Sequence, residues 1–160
     1  VERIAHLVID GYNIIHAWPE LIKEFRRGSD VVCQLLVEAV QVLHDQKGQR
    51  VTVVFDGRGE RVEIDYPCKV NTFSVIYSPS GTSADAIIEQ LAARSDAPKE
   101  MTVASRDNMV CESVSAYGVF TITPEQLKEE VDRCQKQQTI HLLKKKKEEK
   151  PFGSGFFDML

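Results

Sequence analysis

No apolar run in this 160-residue chain approaches the roughly 18–20 residues that a membrane-spanning helix needs. That excludes a helical span among these residues. There is no signal-peptide pattern either, because Glu2 and Arg3 lead straight into a short apolar run. The first residue is Val1 rather than Met, which leaves a removed targeting segment open. The expected location is cytoplasmic, or organellar if such a segment was cleaved. Cysteine is sparse and scattered, at Cys33, Cys68, Cys111 and Cys134, with no CxxC pair and no Cys/His cluster at zinc spacing. Reduced, buried thiols are expected, with a disulfide as the lesser alternative. The phosphate-cradling and nucleophile motifs GxGxxG, GxxxxGK[ST] and GxSxG are all missing. Asp10 is not followed by the DxD spacing of aspartyl-phosphate phosphatases, and no receiver-type lysine follows Ser105-Arg106-Asp107. There is no internal repeat. A basic excess is also lacking: 20 Lys and Arg stand against 24 Asp and Glu, for a net charge of −4. A chain that grips phosphate backbones by electrostatics usually shows the opposite sign. The same total also fits a carboxylate cluster that does metal chemistry.

What is present describes a globular α/β domain. Hydrophobic residues make up 42% and charged residues 28%, ordinary for a folded domain, and the length suits one domain. Ile4–Ile9, Arg50–Phe55, Val70–Tyr77, Met101–Ala104 and Val119–Ile122 are short runs of β-formers, expected as strands. Helices are expected from Pro19 to Arg27, from Ser29 or Asp30 to Lys47, from Thr82 or Ser83 to Arg94, from Asn108 to Tyr117, and from Pro124 towards Leu143. Asp10-Gly11-Tyr12-Asn13 has turn chemistry, and Arg58–Lys69 is a polar, arginine-bearing connection. Helices alternating with continuous apolar strands imply a Rossmann-like three-layer α/β/α fold with a mostly parallel sheet. The domain is placed at 1–143. Residues 144–160 are expected to form a flexible tail, basic at Lys144–Lys150 and bearing Phe152, Phe156 and Phe157. The lysines are a solvated helix end or a phosphate-contacting segment. The phenylalanines pack on the domain or on a partner.

In open α/β sheets, ligands bind beyond the carboxyl ends of the strands. Three of the expected strands end there in acids or polar-acid pairs: Asp10, Asp56 and Ser105/Asp107. The helix entered from Gly81 carries Asp85 in its first turn, with Glu89 on the same face four residues on. Each has a bland alternative. Asp10 and Asp56 precede glycine as turn residues do, Asp85 complements a helix dipole, Asp107 could cap a helix, and Glu89 could be a solvated face. Together they describe several carboxylates at one sheet end, which cannot all stay ionised without a counter-cation. Hard oxygen ligands suit Mg²⁺ or Mn²⁺. Asn13 adds a neutral donor and acceptor. Ser105 could hold a water or close its turn. His16 could touch substrate or sit in its loop. Arg58, Arg61, Lys69 and Arg106 supply phosphate contacts or ordinary surface charge. Trp18 anchors a helix or stacks on a base.

Four segments resemble the YacP-like branch of the NYN domains, within the PIN-like nuclease superfamily. They are VIDGYNIIHAWPEL (Val8–Leu21), VVFDG (Val53–Gly57), GTSADAIIEQL (Gly81–Leu91) and VASRDNM (Val103–Met109). The resemblance spans roughly residues 5–135 and implies a Rossmann-like, PIN-like sheet and a metal-dependent endoribonuclease. Its bacterial members include enzymes acting on messenger RNA associated with the ribosome. It matches Asp10 and Asn13 to the first-strand acid and its asparagine, Asp85 to the acid opening the central helix, and Asp107 to the acid after the fourth strand. The expected metal ligands are therefore Asp10, Asp85 and Asp107 for Mg²⁺ or Mn²⁺, with Asn13 beside them. Asp56, Glu89, Ser105, His16, Arg58, Arg61 and Arg106 are expected to support the ligands or to touch substrate. RNA, most simply mRNA, is the expected partner, with the ribosome as a further one and no membrane. Two other readings stand: a non-catalytic RNA- or ribosome-binding module on the same fold, and a small-molecule phosphohydrolase.

Overall fold

The computed structural model describes residues 4–149. The Phe-bearing segment after Lys150 lies outside them. Six strands form one sheet: β1 (His6–Asp10), β2 (Arg50–Phe55), β3 (Glu63–Asp65), β4 (Phe73–Tyr77), β5 (Met101–Ala104) and β6 (Phe120–Ile122). Their order is β3-β4-β2-β1-β5-β6, parallel throughout except for β3 against β4. The helices are α1 (Gly11–Ala17), α2 (Pro19–Ile22), α3 (Ser29–Lys47), α4 (Ala84–Ala93), α5 (Asn108–Ser115) and α6 (Pro124–Glu149).

The central strands have apolar side chains on both faces, so both faces must be covered. Leu7, Ile9, Val51, Val53 and Phe55 pack against Ile14 and Ile15 of α1, Leu36, Val40 and Leu43 of α3, and Leu127 and Val131 of α6. The alternate residues Val8, Val54 and Val103 pack against Ile87 and Ile88 of α4 and Val110 and Val114 of α5. This period-two division of one strand between two cores makes the three-layer sandwich. Trp18 is buried, and its Nε1–H donates to the Pro124 carbonyl at 2.9 Å, anchoring the start of α6. Of its two readings, the structure selects the anchor.

Four local expectations change. Asp10-Gly11-Tyr12-Asn13 is not a turn: β1 passes directly into α1. The Arg58–Lys69 connection contains β3, an edge strand of three exposed residues. The third expected strand begins at Phe73, because Val70–Thr72 belong to the preceding turn. The last helix runs past Leu143 to Glu149, so Lys144–Lys147 are helical. Lys and Glu are good helix formers, and nothing in that run breaks a helix. All four cysteines are unpaired, with Cys33 and Cys134 buried and Cys68 and Cys111 half-buried.

The topology fixes where a site can form. From β1 the chain moves outward through β2 to β4, then crosses back by α4 to β5 on the other side of β1. The order reverses between β1 and β5. The crevice at their carboxyl ends is the switch point of the sheet.

Candidate active site

Asp10 closes β1 at that crevice and is only 6% exposed. Its Oδ2 accepts a hydrogen bond from Ser105 Oγ at 2.8 Å, across the gap from β1 to the end of β5. The same Ser105 oxygen accepts from the Asp107 amide at 3.0 Å. One hydroxyl therefore sets both the Asp10 carboxylate and the loop carrying Asp107. Asp107 Oδ1 accepts from the amides of Met109 at 2.9 Å and Val110 at 3.3 Å, which makes it the N-cap of α5. Asn13 Oδ1 accepts from the Arg106 amide at 2.7 Å, tying α1 to the same loop. Asp56, just past β2, accepts from the Ala84 amide at 2.8 Å. With Ser83, whose Oγ accepts from Ala86 N–H at 3.2 Å, it caps α4 and brings Asp85 to the crevice.

The electrostatics join these groups. Burial and the carboxylates of Asp85, Asp107 and Asp56 push the Asp10 carboxyl up from 3.8 to about 6, while the Ser105 hydrogen bond pulls it down. The Asp85 carboxyl is also raised, by burial and then by Asp107 and Asp56. Among the described residues none of the four aspartates is in an ion pair. The like charges that raise Asp10 and Asp85 would be offset by a bound cation. The donor set is all oxygen, which fits Mg²⁺ or Mn²⁺. No three of the four aspartates bring ligand atoms within 4.8 Å of one another.

Two close approaches hold the strand ends. A Cβ on Gly11 would lie 2.3 Å from the Phe55 ring and 2.9 Å from the Val54 carbonyl. A Cβ on Gly57 would lie 2.2 Å from the Ser78 carbonyl. Each of Asp10 and Asp56 is therefore followed by glycine because the backbone turns against its neighbour there.

The remaining expected residues divide. Arg58 lines a cleft of about 600 Å³ beside the aspartates, with Tyr12, Cys33, Asp56, Asp65 and Tyr77. Tyr12 and Tyr77 both pack on Phe55, edge-on at 5.2 Å and stacked at 5.7 Å. Neither tyrosine is among the residues expected at the site, although Tyr12 stands inside the DGYN segment. Arg106 has its guanidinium paired with Glu125 of α6. His16 is exposed and stacked on Phe25 at 5.2 Å. Arg61 is exposed in the connection before β3. Glu89 is exposed one turn beyond Asp85 and is not among the charges that move Asp10 or Asp85.

The sheet, its switch point and the carboxylates gathered there have the arrangement that the resemblance to the PIN-like nucleases implies. The YacP-like NYN domain model matches residues 7–155, and the chain belongs to that family. A curated relative, the uncharacterized protein YacP of Bacillus subtilis strain 168, is 28% identical over 92% of this chain and 86% of its own length. Two crystal structures of Rae1 (YacP) from Bacillus subtilis are similar at 26% identity. A W164L mutant superposes with TM-score 0.74 over 91% of this chain and 86% of that one. The other gives 0.72 over 99% and 89%. Family membership carries a nuclease-like, RNA-related function. No helix among the described residues is long and apolar enough to cross a membrane.

Proposed function

We propose that this protein is a divalent-metal-dependent endoribonuclease that hydrolyses RNA phosphodiester bonds, with mRNA on the ribosome as its substrate. The observation that carries this reading is the convergence of Asp10, Asp56, Asp85 and Asp107 on the switch point, with no basic side chain paired to them among the described residues. Asp10, Asp85 and Asp107 would hold Mg²⁺ or Mn²⁺. When bound, the ion supplies Lewis-acid activation of the attacking water and neutralises charge on the phosphate. Ser105 fixes the Asp10 carboxylate by donating to Oδ2 and holds the Asp107 loop by accepting its amide proton. Asn13 is a positioning residue that locks the same loop through the Arg106 amide. Asp56 places Asp85 by capping α4. The Tyr12 and Tyr77 faces of the neighbouring cleft offer unpaired bases a stacking surface, and Arg58 offers a phosphate contact. Messenger RNA and the ribosome rest on the family resemblance. The net charge of −4 supports a substrate presented by a partner rather than gripped from solution.

The test is the exposed residue Asp85. Asp85→Asn should leave folding intact and lower Mn²⁺-dependent RNA cleavage on the order of 100-fold or more, the scale of removing one electrostatic contact to a transition state. Cleavage undiminished in that variant, or equally fast in excess EDTA, would refute the reading. RNA or ribosome binding without cleavage in Mn²⁺ would make the protein a binding module instead.

A further inference from the structure

At the opposite end of the sheet, where β2 and β4 begin, a second group of ligand-type side chains meets. Tyr66–Lys69 is a tight turn closed by the Lys69 amide on the Tyr66 carbonyl at 2.9 Å, with Pro67 and Cys68 at its centre. It faces the last turn of α3. There His44, Asp45 and Cys68 each bring one ligand atom within 4.8 Å of the other two, the only such group among the described residues. The imidazole is held from three sides. Nδ1 lies 2.9 Å from Asp45 Oδ1, and Nε2 lies 2.8 Å from Thr72 Oγ1. The ring stacks on Phe73 with centroids 5.5 Å apart. Asp45 Oδ2 accepts from Gln41 Nε2 at 3.3 Å, which leaves Oδ1 turned to the ring.

We propose that His44, Asp45 and Cys68 form a binding site for a thiophilic divalent transition metal of the Zn²⁺ type, separate from the aspartate cluster. One imidazole, one carboxylate and one thiolate make a three-ligand set, and water completes the tetrahedron. Thiolate and imidazole select this class of ion over Mg²⁺, which prefers oxygen alone. The tautomer with its proton on Nε2, donated to Thr72 Oγ1, presents the Nδ1 lone pair to an ion entering between Nδ1 and Asp45 Oδ1, with Thr72 as the outer partner of the ligating histidine. The site also sits at the negative end of the 19-residue α3, which favours a cation. On binding, the ion replaces the hydrogen bond between Nδ1 and Asp45 Oδ1, Nδ1 carries no proton, and the Cys68 thiol gives its proton to solvent. The ion would pin the segment between β3 and β4 to α3. The sequence hides this group, because Cys68 is remote from His44 and Asp45 and no zinc spacing joins them.

The test uses the full chain, reduced and stripped of metal, titrated with Co²⁺. The native chain should develop a near-ultraviolet thiolate-to-cobalt charge-transfer band at one Co²⁺ per chain. Cys68→Ser and His44→Ala should each lose it, and Asp85→Asn should keep it. Zn²⁺ should raise the melting temperature of Asp85→Asn, and leave the double variant Cys68→Ser with Asp85→Asn unmoved. No charge-transfer band in the native chain, or a band retained by Cys68→Ser, overturns the proposal. A band lost in Asp85→Asn does so too, since it would place the ion among the aspartates. None of these readouts depends on nuclease activity.

Discussion

Asp10 illustrates how a single residue can be costly to the fold and useful to the site. Its folded pKa, about 6, lies above its ordinary 3.8. The native chain therefore binds that proton more tightly than the unfolded chain, and stability falls as pH rises across this window. The penalty is complete at pH 7. Two pKa units correspond to roughly 2–3 kcal/mol. In EDTA, Asp10→Asn should stabilise the protein at pH 7 on the order of 2 kcal/mol and give little gain near pH 4, because the amide oxygen can still accept from Ser105. His6 works the other way. Burial, and then Arg50, lower it from 6.5 to about 4, so its contribution grows as pH rises through that range. In the native chain the two trends oppose each other. In Asp10→Asn the His6 trend is left unopposed, and stability should climb more steeply between pH 4 and 6.5. Urea unfolding across that range measures both effects. An Asp10→Asn protein less stable than the native chain at pH 7 would show that Asp10 is a structural acid. Adding Mn²⁺ should stabilise the native chain far more than the variant.

At the scale of elements, most of the architecture is legible in the sequence, and the exceptions have physical causes. Strands buried on both faces appear as continuous apolar runs, which is why β1, β2 and β5 stand out. β3 is three exposed residues paired with β4 alone, so it leaves no pattern to find. α1 is hidden because Asp-Gly-Tyr-Asn has the composition of a turn. The glycine there serves a close approach to Phe55 and the start of a helix, not a reversal. The candidate acids Asp10, Asp56, Asp85 and Asp107 stand out in the sequence because each ends a strand or opens a helix. Their division of labour is not legible: Asp56 and Asp107 also serve as helix caps, and Ser105 links two strands. The close approaches give a test. Gly11→Ala and Gly57→Ala should each destabilise by about 1–3 kcal/mol, the range for overpacking, and each should lower metal-dependent activity. They should differ in a Phe55→Leu background. Gly11→Ala meets chiefly the Phe55 ring, so its cost should shrink there. Gly57→Ala meets the Ser78 backbone, so its cost should stay the same. Denaturation of the four-member cycles measures the coupling, and equal costs of Gly11→Ala in both backgrounds would contradict the packing account.

For the whole molecule, the distribution of charge matters more than its total. The aspartates crowd one end of the sheet. α6 starts beside them, through the Arg106–Glu125 pair and the Trp18–Pro124 hydrogen bond. It packs on the body as far as Cys134, and beyond that Ile140, Leu142 and Leu143 are exposed. Lys144 lies 19 residues after Glu125, about 28 Å along a helix at about 1.5 Å per residue. That is several times the roughly 8 Å screening length of physiological salt. The lysines therefore neither neutralise the aspartates nor reach a phosphate bound among them, and under the proposed function their role would be to hold a distant stretch of the same RNA. Replacing Lys144–Lys147 by alanine should leave cleavage of a short oligonucleotide unchanged in kcat. On a long RNA or a ribosome-bound message it should raise KM several-fold. It should also flatten the salt dependence of binding, since each phosphate left unneutralised keeps about one counterion that a lysine would have released. Steady-state cleavage of both substrates across a salt series separates the two effects. Equal losses on short and long RNA would mean that the lysines act at the site itself. No loss on either would make them the solvated end of a helix.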